Sequence, residues 1–74
     1  MKDDIYTVTE VSKLLKVNKN LVYELIKKGH LTALKLGSLK VTRFEILRFL
    51  REYNGKDLSD LDNVIELKIE KESA

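Results

Sequence analysis

The chain contains no cysteine. That excludes disulfide frameworks and thiolate metal sites. A secreted domain this small usually needs such staples, so the absence favours a reducing, intracellular compartment, and a cytoplasmic location is expected. There is a single histidine and no glycine-rich phosphate loop, which leaves almost nothing for enzymatic chemistry; neither catalysis nor a cofactor nor a metal is expected. No apolar run approaches the roughly 18–20 residues that a membrane span needs, so no membrane partner is expected. The opening residues, Met1-Lys2-Asp3-Asp4, are charged and lead into no apolar h-region, so no signal peptide is expected either.

Seventy-four residues set the scale of one domain. A chain of this length buries only about 60% of its unfolded surface, which leaves stability marginal unless a partner adds to it. Charged residues make up 35% of the chain and hydrophobic ones 43%. That content is compatible with a globular fold because Leu, Ile and Val recur at regular spacing. The net charge of +2 hides an asymmetry. Residues 1–55 hold 11 Lys/Arg against 6 Asp/Glu, a balance of +5, whereas residues 56–74 hold 3 against 6, a balance of −3. The division expected is a basic body over 1–55 and an acidic C-terminal tail over 56–74. A basic body suits a polyanionic partner, although a solubilising surface would have the same balance.

Ile5-Tyr6 is short and β-prone. Thr7-Val8-Thr9-Glu10 then has the form of a capping box, with Thr7 as N-cap and Glu10 reaching back to it. Val8, Val11, Leu14 and Leu15 follow at helical spacing, which predicts a first helix from Val8 to Leu15. Lys16-Val17 is a short connection, and Asn18 is a second N-cap. Leu21, Val22, Leu25 and Ile26 form the next stripe, and Gly29 just beyond Lys27-Lys28 is a C-terminal signal. A second helix over Lys19–Lys28, so soon after the first, makes a helix-turn-helix. Leu34 and Leu36 alternate with Ala33 and Lys35, and Gly37-Ser38 before Leu39-Lys40-Val41 reads as a two-residue hairpin turn. Thr42-Arg43-Phe44-Glu45 is another capping box. It opens a third helix whose apolar arc comprises Ile46, Leu47, Phe49, Leu50 and Tyr53 and which ends at Asn54-Gly55. In the tail, Ile65, Leu67 and Ile69 alternate as in a strand, while Leu58, Leu61, Val64, Ile65 and Ile69 also fit one side of a helix. The fold class expected is α+β, mostly α: a winged helix-turn-helix with three short helices and a small β-hairpin wing.

With Lys19 at zero and 100° per residue, Leu21, Val22, Leu25 and Ile26 fall between roughly 200° and 340°. Asn20, Tyr23, Glu24 and Lys27 occupy roughly 40° to 140°, with Lys19 and Lys28 at the flanks. An amide, a phenol, a carboxylate and ammonium groups suit a DNA major groove: Asn pairs with adenine, Lys reaches guanine or phosphate, Tyr donates to phosphate. An ordinary solvated face would carry similar residues; the short helix before it and the hairpin after it favour DNA. Lys35 and Lys40 near the hairpin tip would grip the adjacent backbone or minor groove.

Tyr6-Thr7-Val8-Thr9-Glu10-Val11, Leu14-Leu15-Lys16-Val17, Val22-Tyr23-Glu24-Leu25-Ile26-Lys27-Lys28-Gly29 and Thr42-Arg43-Phe44-Glu45-Ile46 together resemble the excisionase and MerR-like helix-turn-helix family, over about residues 5–52. The resemblance implies DNA binding with the second helix in the major groove and the wing on the flanking backbone, in excisive recombination or in transcription control by mobile elements. It implies double-stranded DNA as partner, with an integrase or recombinase, or another copy of the chain, as further partners. The chain is too short for the effector domain of larger MerR-type regulators, so no small-molecule effector is expected. Three features depart from the family pattern: Lys16 stands where Gly is frequent in the turn, Glu24 where Arg often follows the helix-2 Tyr, and Ser38-Leu39-Lys40 where the wing often carries several Arg. The candidate DNA-contacting set is Lys19, Asn20, Tyr23, Glu24, Lys27 and Lys28 on the helix, Lys35, Ser38 and Lys40 on the wing, and Arg43 at the start of the third helix.

His30, just past Gly29, reads as a turn residue near a helix C-terminus. Asp57, Asp60 and Asp62 lack the Gly and terminal Glu of a calcium loop and read as a solvated turn or helix start. The competing function is a winged-helix protein-interaction module, with the tail's apolar row serving a partner.

Overall fold

The computed structural model describes residues 2–68. A short strand, β1 (Ile5–Thr7), runs directly into α1 (Val8–Leu15), and Lys16, Val17 and Asn18 connect it to α2 (Lys19–Lys27). β2 (Leu34–Leu36) and β3 (Ser38–Thr42) form a hairpin, and α3 (Arg43–Tyr53) follows β3 without a break. β4 (Lys56–Asp57) and β5 (Ile65–Glu66) make a separate antiparallel pair in the tail. This is a helix-dominated α+β fold, as expected of a winged helix-turn-helix.

The helices begin where side chains can satisfy free backbone donors. Thr7 Oγ1 accepts from the Glu10 N–H at 3.1 Å while the Glu10 carboxylate accepts from the Thr7 N–H at 2.9 Å, a complete capping box. Asn18 Oδ1 accepts from the Leu21 N–H at 2.8 Å and starts α2. The box expected at Thr42 is only half made. Thr42 Oγ1 accepts from the Glu45 N–H at 3.1 Å, but the Glu45 carboxylate turns away to the Thr32 N–H at 2.8 Å and to Arg48 Nε at 2.9 Å. A guanidinium is a stronger donor than the cap's backbone amide and captures it. At the end of α1, Lys16 adopts the left-handed conformation, φ 60° and ψ 44°, and the Val17 N–H closes onto the Ser12 carbonyl at 2.9 Å.

The core draws Val8 and Val11 from α1, Val22 and Leu25 from α2, Leu31 from the following loop, and Ile46 and Phe49 from α3. Tyr6 and Val41 join it from directly opposed positions on β1 and β3. The hairpin is therefore part of a three-stranded sheet in the order β1-β3-β2, where a two-stranded wing was expected. Ser12, the buried polar side chain of α1, donates to the Thr9 carbonyl at 2.6 Å.

The hairpin turn is corrected, and the apolar arc of α3 is narrowed. The hairpin turns at Gly37 alone, with Leu36 opposite Ser38 and Lys35 opposite Leu39, rather than at a Gly37-Ser38 pair. A one-residue shift of register moves a strand's side chains to the other face, so Leu34 and Leu36 are exposed while Leu39 packs toward the core. On α3, Ile46 and Phe49 are buried and Tyr53 half-buried, since they share one helical row. Leu47 and Leu50 lie on the next row and are exposed, as is Phe44 at 71%.

The tail folds back over the body. Leu58 and Leu61 pack against the core and, with Leu15, Val17, Leu21, Leu25, Phe49 and Leu50, line an apolar cleft of about 260 Å³. Neither strand nor helix dominates these residues: the expected strand is reduced to Ile65–Glu66, with Ile65 and Leu67 exposed, and Ile69 lies outside the described residues.

Candidate nucleic-acid interface

α2 is held against the core by Val22 and Leu25, with Leu21 and Ile26 half-buried beside them. That anchoring fixes what the outer side presents. Lys19, Asn20, Tyr23, Glu24 and Lys27 are all exposed there, Tyr23 to 48%. The structure thus brings five members of the candidate set onto one continuous face. The Asn18 cap begins the helix at this end, and the positive end of the helix dipole adds to its attraction for anions.

The cations divide into two groups. Lys28 is paired with Asp62 at 2.8 Å, Arg43 with Asp4 at 3.2 Å, Lys56 with Glu66 at 2.7 Å, and Arg48 with Glu45 and Glu52. Among the described residues, Lys2, Lys13, Lys16, Lys19, Lys27, Lys35, Lys40, Arg51 and Lys68 form no ion pair, and Lys19 and Lys27 are the ones on the outer side of α2. Lys28, expected at the flank of the DNA face, is therefore claimed by the tail. The Asp62 carboxylate, by hydrogen bond and by charge, raises the Lys28 ammonium above its ordinary value. Arg43 lies at the far end of β3 from the Gly37 tip. Its backbone N–H donates to the Asp4 carbonyl at 2.9 Å, its guanidinium pairs with the Asp4 side chain, and its charge sits 5.5 Å from the Phe44 ring centroid. It is not brought together with the α2 face by any of these contacts.

The wing lysines are also separated. Lys40 stands opposite Leu34 on one side of the sheet, while Lys35 stands opposite Leu39 on the other. Lys40 Nζ donates to the Leu36 carbonyl at 2.8 Å, which folds its stem along the hairpin. Lys35 and Ser38 are exposed beside Gly37.

Three residues outside the candidate set tie α3 and the tail to the C-terminal end of α2. His30 is wedged between α3 and the tail. Its Nε2 lies 2.6 Å from the Leu61 carbonyl, which can only accept, so Nε2 carries the proton; Nδ1 lies 3.0 Å from the Tyr53 hydroxyl. Arg48 donates to the His30 carbonyl at 2.9 Å and also holds Glu45 and Glu52. Asp62 holds Lys28. The spacing of Glu45, Arg48 and Glu52 could have revealed the Arg48 network, since three- and four-residue intervals share a helix face. His30–Leu61 and Lys28–Asp62 join residues more than thirty apart and leave no local signal. The Asp57 carboxylate accepts from the Ser59 hydroxyl at 2.6 Å and its N–H at 2.9 Å, and these bonds hold it below its usual range.

Among the described residues no helix is long and apolar enough to cross a membrane, and no group of His, Cys, Asp and Glu side chains is arranged to hold a metal. A family model described as a helix-turn-helix domain matches residues 5–54 of the chain. No curated protein and no solved structure matches it.

Proposed function

The chain belongs to the helix-turn-helix domain family, a family associated with excisionase-like DNA-binding proteins, and from that premise we propose that it binds double-stranded DNA in a sequence-specific manner as an excisionase-like protein of a mobile element. α2 lies in the major groove, and the β2–β3 wing rests on the flanking backbone. The observation that carries this reading is the outer face of α2. Asn20, Tyr23 and Lys27 stand exposed together there, and Lys19 and Lys27 have no ion-pair partner among the described residues. Each unpaired lysine set against a phosphate releases a counterion and steepens the salt dependence of binding. Asn20 and Lys27 supply the hydrogen-bonding groups that read base edges. Control of transcription by the same fold uses the same contacts and differs only in where the bound site lies.

The test is fluorescence anisotropy of a labelled duplex titrated with the full chain at several salt concentrations. Log affinity should fall linearly with log salt, and Lys27→Ala should lower the slope by about one if it meets phosphate. Binding that ignores salt, or a slope unchanged in Lys27→Ala and an affinity unchanged in Asn20→Ala, would remove α2 from the interface. A second reading, a protein-interaction module, is favoured by one specific feature. Phe44, Leu47 and Leu50 are exposed along one side of α3.

A further inference from the structure

α2 carries a carboxylate where a phosphate-binding surface has no use for one. Glu24 is exposed on the same face as Asn20, Tyr23 and Lys27. Lys28 follows it by four residues, the spacing and order at which a helix pairs Glu with Lys most favourably. That pair is not made. Lys28 Nζ donates instead to Asp62 Oδ1 at 2.8 Å, in the segment joining β4 to β5. Among the described residues, no ion pair holds the Glu24 carboxylate. A free carboxylate beside a polyanion is repelled by phosphate and by the acceptor atoms that most base edges present. The group that suits it in the major groove is the cytosine N4 amino group. Adenine also offers an amino donor, but sets the N7 acceptor beside it.

Resting on the DNA-binding reading above, we infer that Glu24 is a specificity-determining residue that accepts from a cytosine amino group, and that Asp62 is the positioning residue that keeps Glu24 available by holding Lys28 away. Glu24 then selects in two ways. It adds a hydrogen bond at the right base pair and a repulsion at the others, and specificity grows from the difference. The tail enters recognition without touching DNA. Its acidic turn takes up the lysine that stands four residues after Glu24, the best-placed cation to neutralise it and one that would strengthen binding to any sequence.

The experiment is selection by the full chain from duplexes with a randomised core, followed by competition anisotropy on the selected site and on single-base variants of it. The wild-type chain should select a cytosine at one position and discriminate against other bases there about tenfold. Glu24→Gln should shift the preference at that position, and no other, toward adenine, because a Gln amide pairs with adenine N6 and N7. Asp62→Asn should free Lys28 to pair with Glu24, lowering the discrimination several-fold while tightening binding to unselected duplexes. Adding Lys28→Ala to Asp62→Asn should restore the discrimination, a rescue that a merely structural role for Asp62 would not give. An unchanged base preference in Glu24→Gln, or a wild-type site without cytosine at the affected position, overturns the Glu24 assignment while DNA binding stands. Unchanged discrimination in Asp62→Asn overturns the positioning role alone. Failure of the wild-type chain to bind any duplex overturns both this inference and the reading beneath it.

Discussion

Replacing Lys16 by glycine should stabilise the domain. Lys16 is the one residue other than glycine with positive φ among the described residues, at φ 60° and ψ 44°, and it sits in the turn between the two helices that define the fold. The turn needs that conformation: it lets the Val17 N–H close onto the Ser12 carbonyl at 2.9 Å and end α1 with its last carbonyls satisfied. For a residue with a Cβ the left-handed conformation costs about 1–2 kcal/mol. Glycine removes that cost but gives back about 0.5–1 kcal/mol through the greater freedom of its unfolded chain. The balance is a gain of about 0.5–1 kcal/mol, which for a domain of this size raises Tm by about 2–8 °C. The Lys16 side chain is exposed and forms no ion pair among the described residues, so little is lost with it. Lys16→Ala keeps the Cβ and should change stability by less than about 0.5 kcal/mol. Urea unfolding followed by circular dichroism measures both, and the midpoint of the glycine variant should rise with an unchanged slope. A lower midpoint for glycine, or an equal gain in alanine, would refute the argument from backbone conformation.

The Glu45 carboxyl is held below its ordinary value of 4.5, first by the Arg48 guanidinium and then by the Thr32 N–H. A depressed folded value means that its contribution is present above the unfolded value and is lost as pH falls through the folded one. Glu45→Gln should therefore be less stable at pH 7 by about 1–2 kcal/mol, and should show a smaller loss of urea midpoint than the wild type below about pH 4.5. On the wing, Lys35→Ala should reduce the salt slope of duplex binding by about one. Lys40→Ala should reduce it less, because Lys40 lies on the opposite side of the hairpin and is tied to the Leu36 carbonyl; equal changes in the two anisotropy titrations would show that both sides reach DNA.

What was legible in the sequence was local. Thr7 with Glu10, Asn18 with Leu21, and Gly29 after Lys27-Lys28 set the helix ends, and each of these signals spans a few residues of backbone. The exposed set on α2 followed from helical periodicity alone. What was not legible depends on distant partners. Alternation in Leu34-Lys35-Leu36 carries the same pattern in either register, and only the turn at Gly37 and the pairing of β3 with β1 decide that the leucines face outward. The wide apolar arc of α3 does not say which row meets the core, and the structure buries Ile46 and Phe49 while leaving Leu47 and Leu50 exposed. The sequence places Lys28 on the flank of the DNA face because the partner it takes in the structure, Asp62, is remote, 34 residues away.

An amide chemical-shift titration of the isotopically labelled full chain with a short duplex reads directly which surface meets DNA. The perturbed amides should cluster on Lys19–Lys27 of α2 and around Lys35–Lys40 of the wing, and should return to their free positions as salt is raised. Amides of the exposed α3 row, Phe44, Leu47 and Leu50, and of the tail turn at Ser59–Asn63 should move little. Shifts concentrated on α3 or the tail, with α2 unmoved, would contradict the assignment of α2 as the DNA-reading helix.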